Sequence, residues 1–267
     1  QIKEIQAYPD YDRQLVLRIA SSYYELRRYQ EAYLLYRDLH HRFPGSEAGD
    51  QALYSAFSTS VAAKEIARAF QDGEDYIKAY PKGLYFDVLT AQLAEIRLNR
   101  LEYDLAVEIG ERVLKLKPDH SLRDQLLYII GFSHFQQERL ARALPPLAEV
   151  RDKFSTGRFA EAAAYWHALT LLFMADYAAA RDDFARFLQK YDTGLYSEDA
   201  LYRRAVAEYG LSEMDTAKAT FAQFVEKYPG SHLKSEALSM IADIEAGAGQ
   251  LDEALARYNA AMGCAEN

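Results

Sequence analysis

Two similar stretches, RFPGSEA at 42–48 and KYPGSHL at 227–233, decide the fold. Each contains an aromatic residue followed by Pro-Gly-Ser, and the two aromatic residues lie 185 positions apart, which is five times 37. Steps of 37 from Phe43 reach a turn-rich tetrapeptide every time: FPGS, YPKG, KPDH, FSTG, YDTG and YPGS. We therefore interpret the two stretches as connectors between 37-residue repeats.

Small residues follow the same period. Steps of 37 from Ala32 reach alanine at all seven positions, and the column that begins at Ala20 is small at six of seven positions. The exception is Phe57, whose volume we expect Gly73 to compensate. The register never slips, which predicts seven units spanning a single domain, 1–267: 10–46, 47–83, 84–120, 121–157, 158–194, 195–231 and 232–267.

Each unit has the pattern of two amphipathic helices. In the sixth unit, Leu201, Ala205 and Tyr209 recur at i, i+4 and i+8, and a second stripe runs from Met214 to Phe224. Pro and Gly of the connector then end the second helix. The small columns mark the points where the two helices cross at short distance. Since no unit buries its apolar stripe alone, the sequence predicts an all-α fold, an α-solenoid of stacked helix pairs forming a right-handed superhelix.

One unit departs from this pattern. Pro145 and Pro146 fall inside the second helix of the fourth unit, where proline disrupts hydrogen bonding. We expect a late helix start or a kink there.

The pattern resembles the tetratricopeptide repeat. The segments that carry the resemblance are Ala217-x-x-x-Phe221 followed by Pro229, and Ala32-x-x-x-Tyr36 followed by Pro44. Arg204 and Glu208 depart from the consensus. The longer period of 37 looks like the repeats of bacterial envelope proteins, including those of the Bam and Tol-Pal systems. This resemblance implies partner binding, a periplasmic or outer-membrane-associated location (the alternative being cytoplasmic) and no catalytic residue.

Composition limits the possible partners. The net charge of −9 disfavours nucleic acid, and the longest apolar run, ALTLLFMA at 168–175, is too short to cross a bilayer. A single cysteine, Cys264, excludes disulfides within the chain. The segment AYPD at 7–10 is typical of the close of a preceding second helix, so we expect this chain to be a fragment of a longer protein with further domains.

Aromatic residues on the first helices are the candidate binding residues. In tetratricopeptide arrays these helices line the concave groove, and a column there contains tyrosine at four positions. The alternative is that these tyrosines belong to the scaffold. The predicted partner-binding residues are Tyr54, Gln125, Tyr128, Phe132, Tyr165, Trp166, Tyr202 and Arg203.

Catalytic, cofactor and metal sites are not predicted. No carboxylate or cysteine completes a metal set around His134 and His167, and no phosphate loop or nucleophile motif occurs. We therefore expect a non-catalytic scaffold that binds a protein or peptide, in a bacterial envelope assembly. The alternative is an array that binds glycan or peptidoglycan, or that assists an enzyme, because aromatic ladders also stack on sugars.

Overall fold

The structure, a computed structural model, describes residues 9–265. This part of the chain contains fourteen α-helices and no strand. The helices are α1 (Pro9–Glu25), α2 (Tyr29–Arg42), α3 (Glu47–Ala62), α4 (Ile66–Ala79), α5 (Phe86–Asn99), α6 (Tyr103–Leu116), α7 (Arg123–Gln136), α8 (Leu140–Lys153), α9 (Ala160–Phe173), α10 (Tyr177–Lys190), α11 (Ser197–Gly210), α12 (Met214–Lys227), α13 (Lys234–Gly247) and α14 (Leu251–Ala265).

The predicted period is present in the helix ends. Each even-numbered helix begins 37 residues after the even-numbered helix before it. Each odd-numbered helix ends 37 residues after the odd-numbered helix before it. The prediction of an all-α solenoid of helix pairs is therefore confirmed. The sequence also predicts the close of a preceding second helix before Pro9. That prediction lies outside the described residues.

The chain divides into two compact units, one up to Leu126 and one from Leu127. In the first unit the consecutive helices from α1 to α6 pack against one another, and in the second unit the consecutive helices from α8 to α14 do the same. The small columns lie at these contacts: Ala20, Ala32, Ala180 and Ala205 are fully buried.

The turn inside each helix pair has one fixed geometry. In the first pair, Arg28 N–H donates to Tyr23 O over 2.8 Å and Arg27 N–H donates to Tyr24 O over 2.9 Å, which together form a Schellman motif. This motif requires a left-handed residue, and one occurs every 37 residues with φ between +57° and +81°. The seven residues are Arg27, Lys64, Leu101, Glu138, Ala175, Ser212 and Gly249.

One irregular position differs from expectation. Helix α8 begins at Leu140, in register with the others, and contains both Pro145 and Pro146, so the predicted late start at the two prolines is wrong. At Gly73 the neighbouring side chain is that of Leu93, whose Cδ1 would lie 2.6 Å from an added Cβ. Leu93 therefore packs directly against Gly73, and the compensation between Gly73 and Phe57 stays a prediction.

Acidic residues near the start of the first helices tie successive pairs together. The Asp50 carboxylate accepts from Leu84 N–H over 2.7 Å, and Asp87 accepts from Ser121 N–H over 2.9 Å. In the second unit Glu161 accepts from Tyr196 N–H over 3.3 Å. Each carboxylate thus binds a backbone N–H of the turn that leads into the next first helix, close to the positive end of that helix's dipole.

Candidate binding surface

The predicted tyrosines sit at the junction between successive helix pairs. Three of them stack on the aromatic residue that precedes the next first helix, 31 positions later. The ring centroids are 4.4 Å apart for Tyr54 and Tyr85, 5.1 Å for Tyr128 and Phe159, and 4.4 Å for Tyr165 and Tyr196. The column therefore has a packing role in each compact unit.

Two of the predicted binding residues, Tyr165 and Tyr202, are buried. The Tyr165 hydroxyl donates to Asp199 Oδ2 over 2.5 Å, and burial together with this carboxylate raises the pKa of Tyr165. Burial and the Glu236 carboxylate likewise raise the pKa of Tyr202, whose ring packs on Phe221 and Phe224. Neither side chain has the surface position that the sequence predicted, because each fills the space between neighbouring helices. The structure thus favours the scaffold interpretation for these two residues.

The side chain of Trp166 lies at the centre of a continuous set of aromatic rings in the second unit. Its ring centroid is 4.8 Å from that of Phe132 and 5.0 Å from that of Phe135. Phe135 in turn contacts Phe173, which is 63% exposed. We call this set the aromatic surface and define it as Tyr128, Phe132, Phe135, Phe159, Trp166, Phe173 and Tyr196.

The aromatic surface is supported by a packed core. Phe135, Trp166 and Tyr196 rest on the buried cluster that includes Tyr165 and Phe184. Since their rings also contact one another, little side-chain freedom remains to be lost when a partner binds. At the edge, burial raises the pKa of Tyr128 to about 12, so its hydroxyl stays protonated and can donate a hydrogen bond at neutral pH.

The other predicted residues have polar partners. Arg203 Nε lies 3.2 Å from Asp199 Oδ2, and its guanidinium carbon lies 5.5 Å from the Tyr202 ring centroid. Gln125, in the first unit, donates to Glu95 over 3.1 Å. Tyr54 also belongs to the first unit, whereas the other six predicted residues belong to the second: Tyr128, Phe132, Tyr165, Trp166, Tyr202 and Arg203.

Several residues of the aromatic surface were missed by the sequence reasoning. Phe159 and Tyr196 lie in the turns before first helices, where no binding residue was expected, although their separation of 37 residues is a signal. Phe135 lies about one helical turn after Phe132 on α7, and Phe173 is the last residue of α9. A search of the turns for aromatic residues at the repeat spacing would have found the first two.

The histidines that were considered as metal ligands have different environments. His167 Nδ1 donates to Asp183 Oδ2 over 2.6 Å, and Arg151 donates to the same oxygen over 2.8 Å. Burial opposes the charge of Asp183, but His167 and Arg151 outweigh it and lower the pKa of this carboxyl group. Among the described residues, no group of three or more His, Cys, Asp or Glu side chains could hold a metal ion.

Comparisons with known proteins agree with this architecture. Two segments, 14–46 and 199–231, match the family model of the tetratricopeptide repeat. No curated protein matches the sequence. No helix among the described residues has the length and apolar character needed to span a membrane.

Solved structures with the same fold include proteins named as tetratricopeptide proteins. A tetratricopeptide repeat protein from Parabacteroides merdae is 12% identical, with a TM-score of 0.54 and coverage of 94% of this chain and 93% of that one. YrrB is 17% identical, with a TM-score of 0.57 and coverage of 72% and 93%. MamA from Desulfovibrio magneticus is 15% identical, with a TM-score of 0.57 and coverage of 67% and 95%.

The segments 14–46 and 199–231 thus match the tetratricopeptide repeat model, and the chain shares its α-solenoid fold of helix pairs with solved tetratricopeptide proteins. The resemblance of its repeats to those of the Bam and Tol-Pal systems is not addressed by these comparisons.

Proposed function

We propose that this chain is a non-catalytic scaffold that binds a segment of a partner protein on the aromatic surface. The observation that carries this function is the continuous, partly exposed set of rings around Trp166, with Phe173 at its most exposed end. Aromatic side chains dominate the energetics of protein interfaces, and this set is held in place by a packed core.

The comparisons support a peptide as the partner. One similar fold, YrrB, is described as having an unusual peptide-binding site. An extended or helical peptide with apolar anchors is the ligand that a row of rings on successive first helices can accept.

The single tryptophan provides a direct assay. Trp166 is the only tryptophan in the chain, so its fluorescence reports on this surface alone. A peptide or protein partner, captured with the intact chain as bait and then purified, should change Trp166 emission in a saturable way. Phe173→Ala should weaken binding at least tenfold, about 1.4 kcal/mol, because it removes the most exposed ring.

Leu116→Ala is the matched control. Leu116 is also an exposed apolar side chain, but it lies in the first unit on α6. Its replacement should leave the affinity unchanged. Equal affinities of the wild type and the Phe173→Ala variant would place the partner elsewhere.

Binding of a glycan is the second candidate. Exposed aromatic rings stack on sugar faces, and Phe173 is such a ring, in contact through Phe135 with Trp166. Titration of Trp166 fluorescence with peptidoglycan fragments discriminates the two functions, since a peptide-binding surface should give no saturable change.

We also propose a periplasmic or outer-membrane-associated location, within an envelope assembly. The support is the resemblance of the 37-residue repeats to those of bacterial envelope proteins. Fractionation of the source cells, followed by immunodetection of the full-length gene product, tests it. Recovery in the cytoplasmic fraction would contradict it.

A further inference from the structure

A cleft in the second unit lies between α8, α9 and α10. Its volume is about 170 Å³, and a cavity of about 150 Å³ is large enough to hold benzene. Two buried residues, Ala164 and Phe187, form its apolar floor. The other residues that line it are Arg151, Asp152, Asp183, Arg186, Lys190 and Tyr191. None of these belongs to the aromatic surface, so a ligand of this cleft is independent of the function proposed above.

A buried carboxylate holds two of the cationic side chains in place. Asp183 is 5% exposed, and it accepts hydrogen bonds from Arg151 Nη1 over 2.8 Å and from Arg186 Nη2. Asp152 accepts from the other side of the Arg151 guanidinium, over 2.7 Å to Nε. Lys190 Nζ lies 5.1 Å from the ring centroid of Tyr191. The charged rim of the cleft is therefore formed before any ligand arrives.

The rim has an excess of one positive charge. It contains three cationic side chains and two carboxylates: Arg151, Arg186 and Lys190, with Asp152 and Asp183. Both carboxylates bind Arg151. Lys190 Nζ donates to the uncharged carbonyl of Ser155 over 2.6 Å, and the Arg186 side chain is 67% exposed. Since like charges four positions apart on a helix repel, an anion between Arg186 and Lys190 would be stabilised.

The next helix pair contains a corresponding cleft without this excess. There Leu188, Leu201, Gln223 and Lys227 stand 37 residues after Arg151, Ala164, Arg186 and Lys190. Lys227 Nζ binds the carboxylate of Asp192 over 3.1 Å, and Arg204 Nε binds the buried carboxylate of Glu208 over 2.9 Å. Each cation of the second cleft thus has a carboxylate partner, so the excess charge belongs to the first cleft and not to the repeat.

We propose that the cleft between α8, α9 and α10 binds a small monocarboxylate with an apolar body. The carboxylate accepts hydrogen bonds from Arg186 and Lys190, and its single negative charge matches the excess of the rim. The planar guanidinium of arginine suits a carboxylate because it can donate two parallel hydrogen bonds. The apolar body contacts Ala164 and Phe187 on the floor. A free organic acid and the C-terminal residue of a peptide share this chemistry.

Benzoate is the probe for this site, and benzamide is its neutral counterpart of the same shape. Titration of the 267-residue chain at constant ionic strength, followed by saturation-transfer NMR, measures both affinities. Benzoate should bind saturably with a Kd on the order of 1 mM, and benzamide should bind at least tenfold more weakly.

Two single substitutions test the assigned residues. Arg186→Gln and Lys190→Gln should each weaken the binding of benzoate at least fivefold, because each removes one charged donor. Lys227→Gln is the matched control, since it removes the same charge at the corresponding position of the next cleft, and it should leave the affinity unchanged. All three side chains are exposed, so the variants should fold, as circular dichroism will check.

N-Acetylphenylalanine distinguishes the two sources of the carboxylate, because it represents the C-terminal residue of a peptide. Tighter binding than that of benzoate identifies a peptide C-terminus as the ligand, and weaker binding identifies a free acid. Either order of affinity supports the proposal. Three outcomes overturn it: no saturable binding of benzoate up to about 50 mM, equal affinities for benzoate and benzamide, or unchanged affinity in both the Arg186→Gln and the Lys190→Gln variant.

Discussion

Six residues other than glycine hold the left-handed conformation at the turn inside a helix pair. A side chain is strained there, because its Cβ approaches the backbone, whereas glycine is not. Only the seventh turn has glycine, at Gly249. The Schellman hydrogen bonds form at every turn regardless of residue type, so the surrounding helix pair imposes the conformation.

Ala175→Gly should therefore raise the free energy of unfolding by about 0.5–1 kcal/mol, since it relieves a strained φ of +59°. Ala222→Gly is the control, because Ala222 is exposed in the middle of α12 and its replacement should destabilise by about 1 kcal/mol. Thermal or urea unfolding measures both. If both substitutions changed the free energy of unfolding in the same direction, relief of the strained φ at Ala175 would be contradicted as the cause.

A substitution at Tyr165 tests whether this side chain belongs to the scaffold or to the binding surface. Tyr165→Phe keeps the ring stacked on Tyr196 but removes the donor to Asp199, so stability should fall by about 1–2 kcal/mol. Partner affinity, measured under conditions where the variant is folded, should not change. A large loss of affinity would return Tyr165 to the binding surface that the sequence predicted.

At the scale of the helix, the acidic residues near the start of the first helices bind backbone N–H groups of the turns between successive helix pairs. Helices α5, α9 and α11 have no side-chain hydrogen bond from their own N-cap residue. Burial alone would raise the pKa of Asp87, but the Lys117 ammonium and the Ser121 amide lower it to about 2.

This lowered pKa predicts a loss of stability in acid. The pKa of Asp87 is about 2 in the folded chain and about 4 in the unfolded one. The contribution of its carboxylate to the free energy of unfolding is therefore fully present above pH 4. Protonation removes it as the pH falls from about 4 to about 2, a loss of about 2 kcal/mol.

Asp87→Asn should show a shallower decrease in unfolding free energy over that pH range. Asp119→Asn, at an exposed position, should follow the wild type. Urea unfolding at a series of pH values gives the comparison, and identical slopes for all three proteins would contradict a stabilising role of the ionised Asp87.

The small column makes a prediction about helix crossings. Ala180 is fully buried where α10 packs on its neighbours, whereas Ala178 on the same helix is exposed. Ala180→Leu should destabilise by about 1–3 kcal/mol through overpacking, and Ala178→Leu should have little effect. Equal shifts in Tm would contradict the assigned column.

The sequence predicts those features of the helices that depend on local residues, and it does not predict those that depend on tertiary contacts. The helix pairs follow from local apolar spacing and from turns such as FPGS, and their ends were found in register. Pro145 was misjudged because tertiary packing holds α8 against its unfavourable local preference. The left-handed conformation at Leu101 was not foreseen either, because leucine carries no turn signal and the conformation is imposed by its neighbours.

For the proposed binding surface, the sequence indicated aromatic residues but not the exposure of each ring. Trp166 and Phe132 lie on first helices, as the repeat pattern predicts, and their role in binding stays a prediction. The burial of Tyr165 depends on Tyr196, a residue of the next helix pair, and spacing within one helix does not reveal that contact. Which face of a tyrosine remains accessible is thus a property of two successive units.

At the scale of the whole chain, the constant register predicts tolerance to removal of one complete repeat. Deletion of 84–120 joins Gly83 to Ser121, and both flanks of that junction have the same connector geometry. The shortened chain should remain helical and unfold cooperatively, because within each compact unit the described helices pack on those of the same and the adjacent pairs. Deletion of 84–109, which breaks the register, should not fold. Circular dichroism and urea unfolding distinguish these results, and comparable stability of the two deletions would contradict the role of the register.

The self-contained turn of each helix pair also bears on synthesis. The Schellman hydrogen bonds join residues only three and five positions apart, and the paired helices follow one another directly. A nascent chain therefore has what it needs to close a hairpin as soon as that stretch has left the ribosome, without waiting for distant segments. Each later hairpin then emerges beside one that is already formed and can add to it, so the exposed apolar surface stays limited to the growing end during translation.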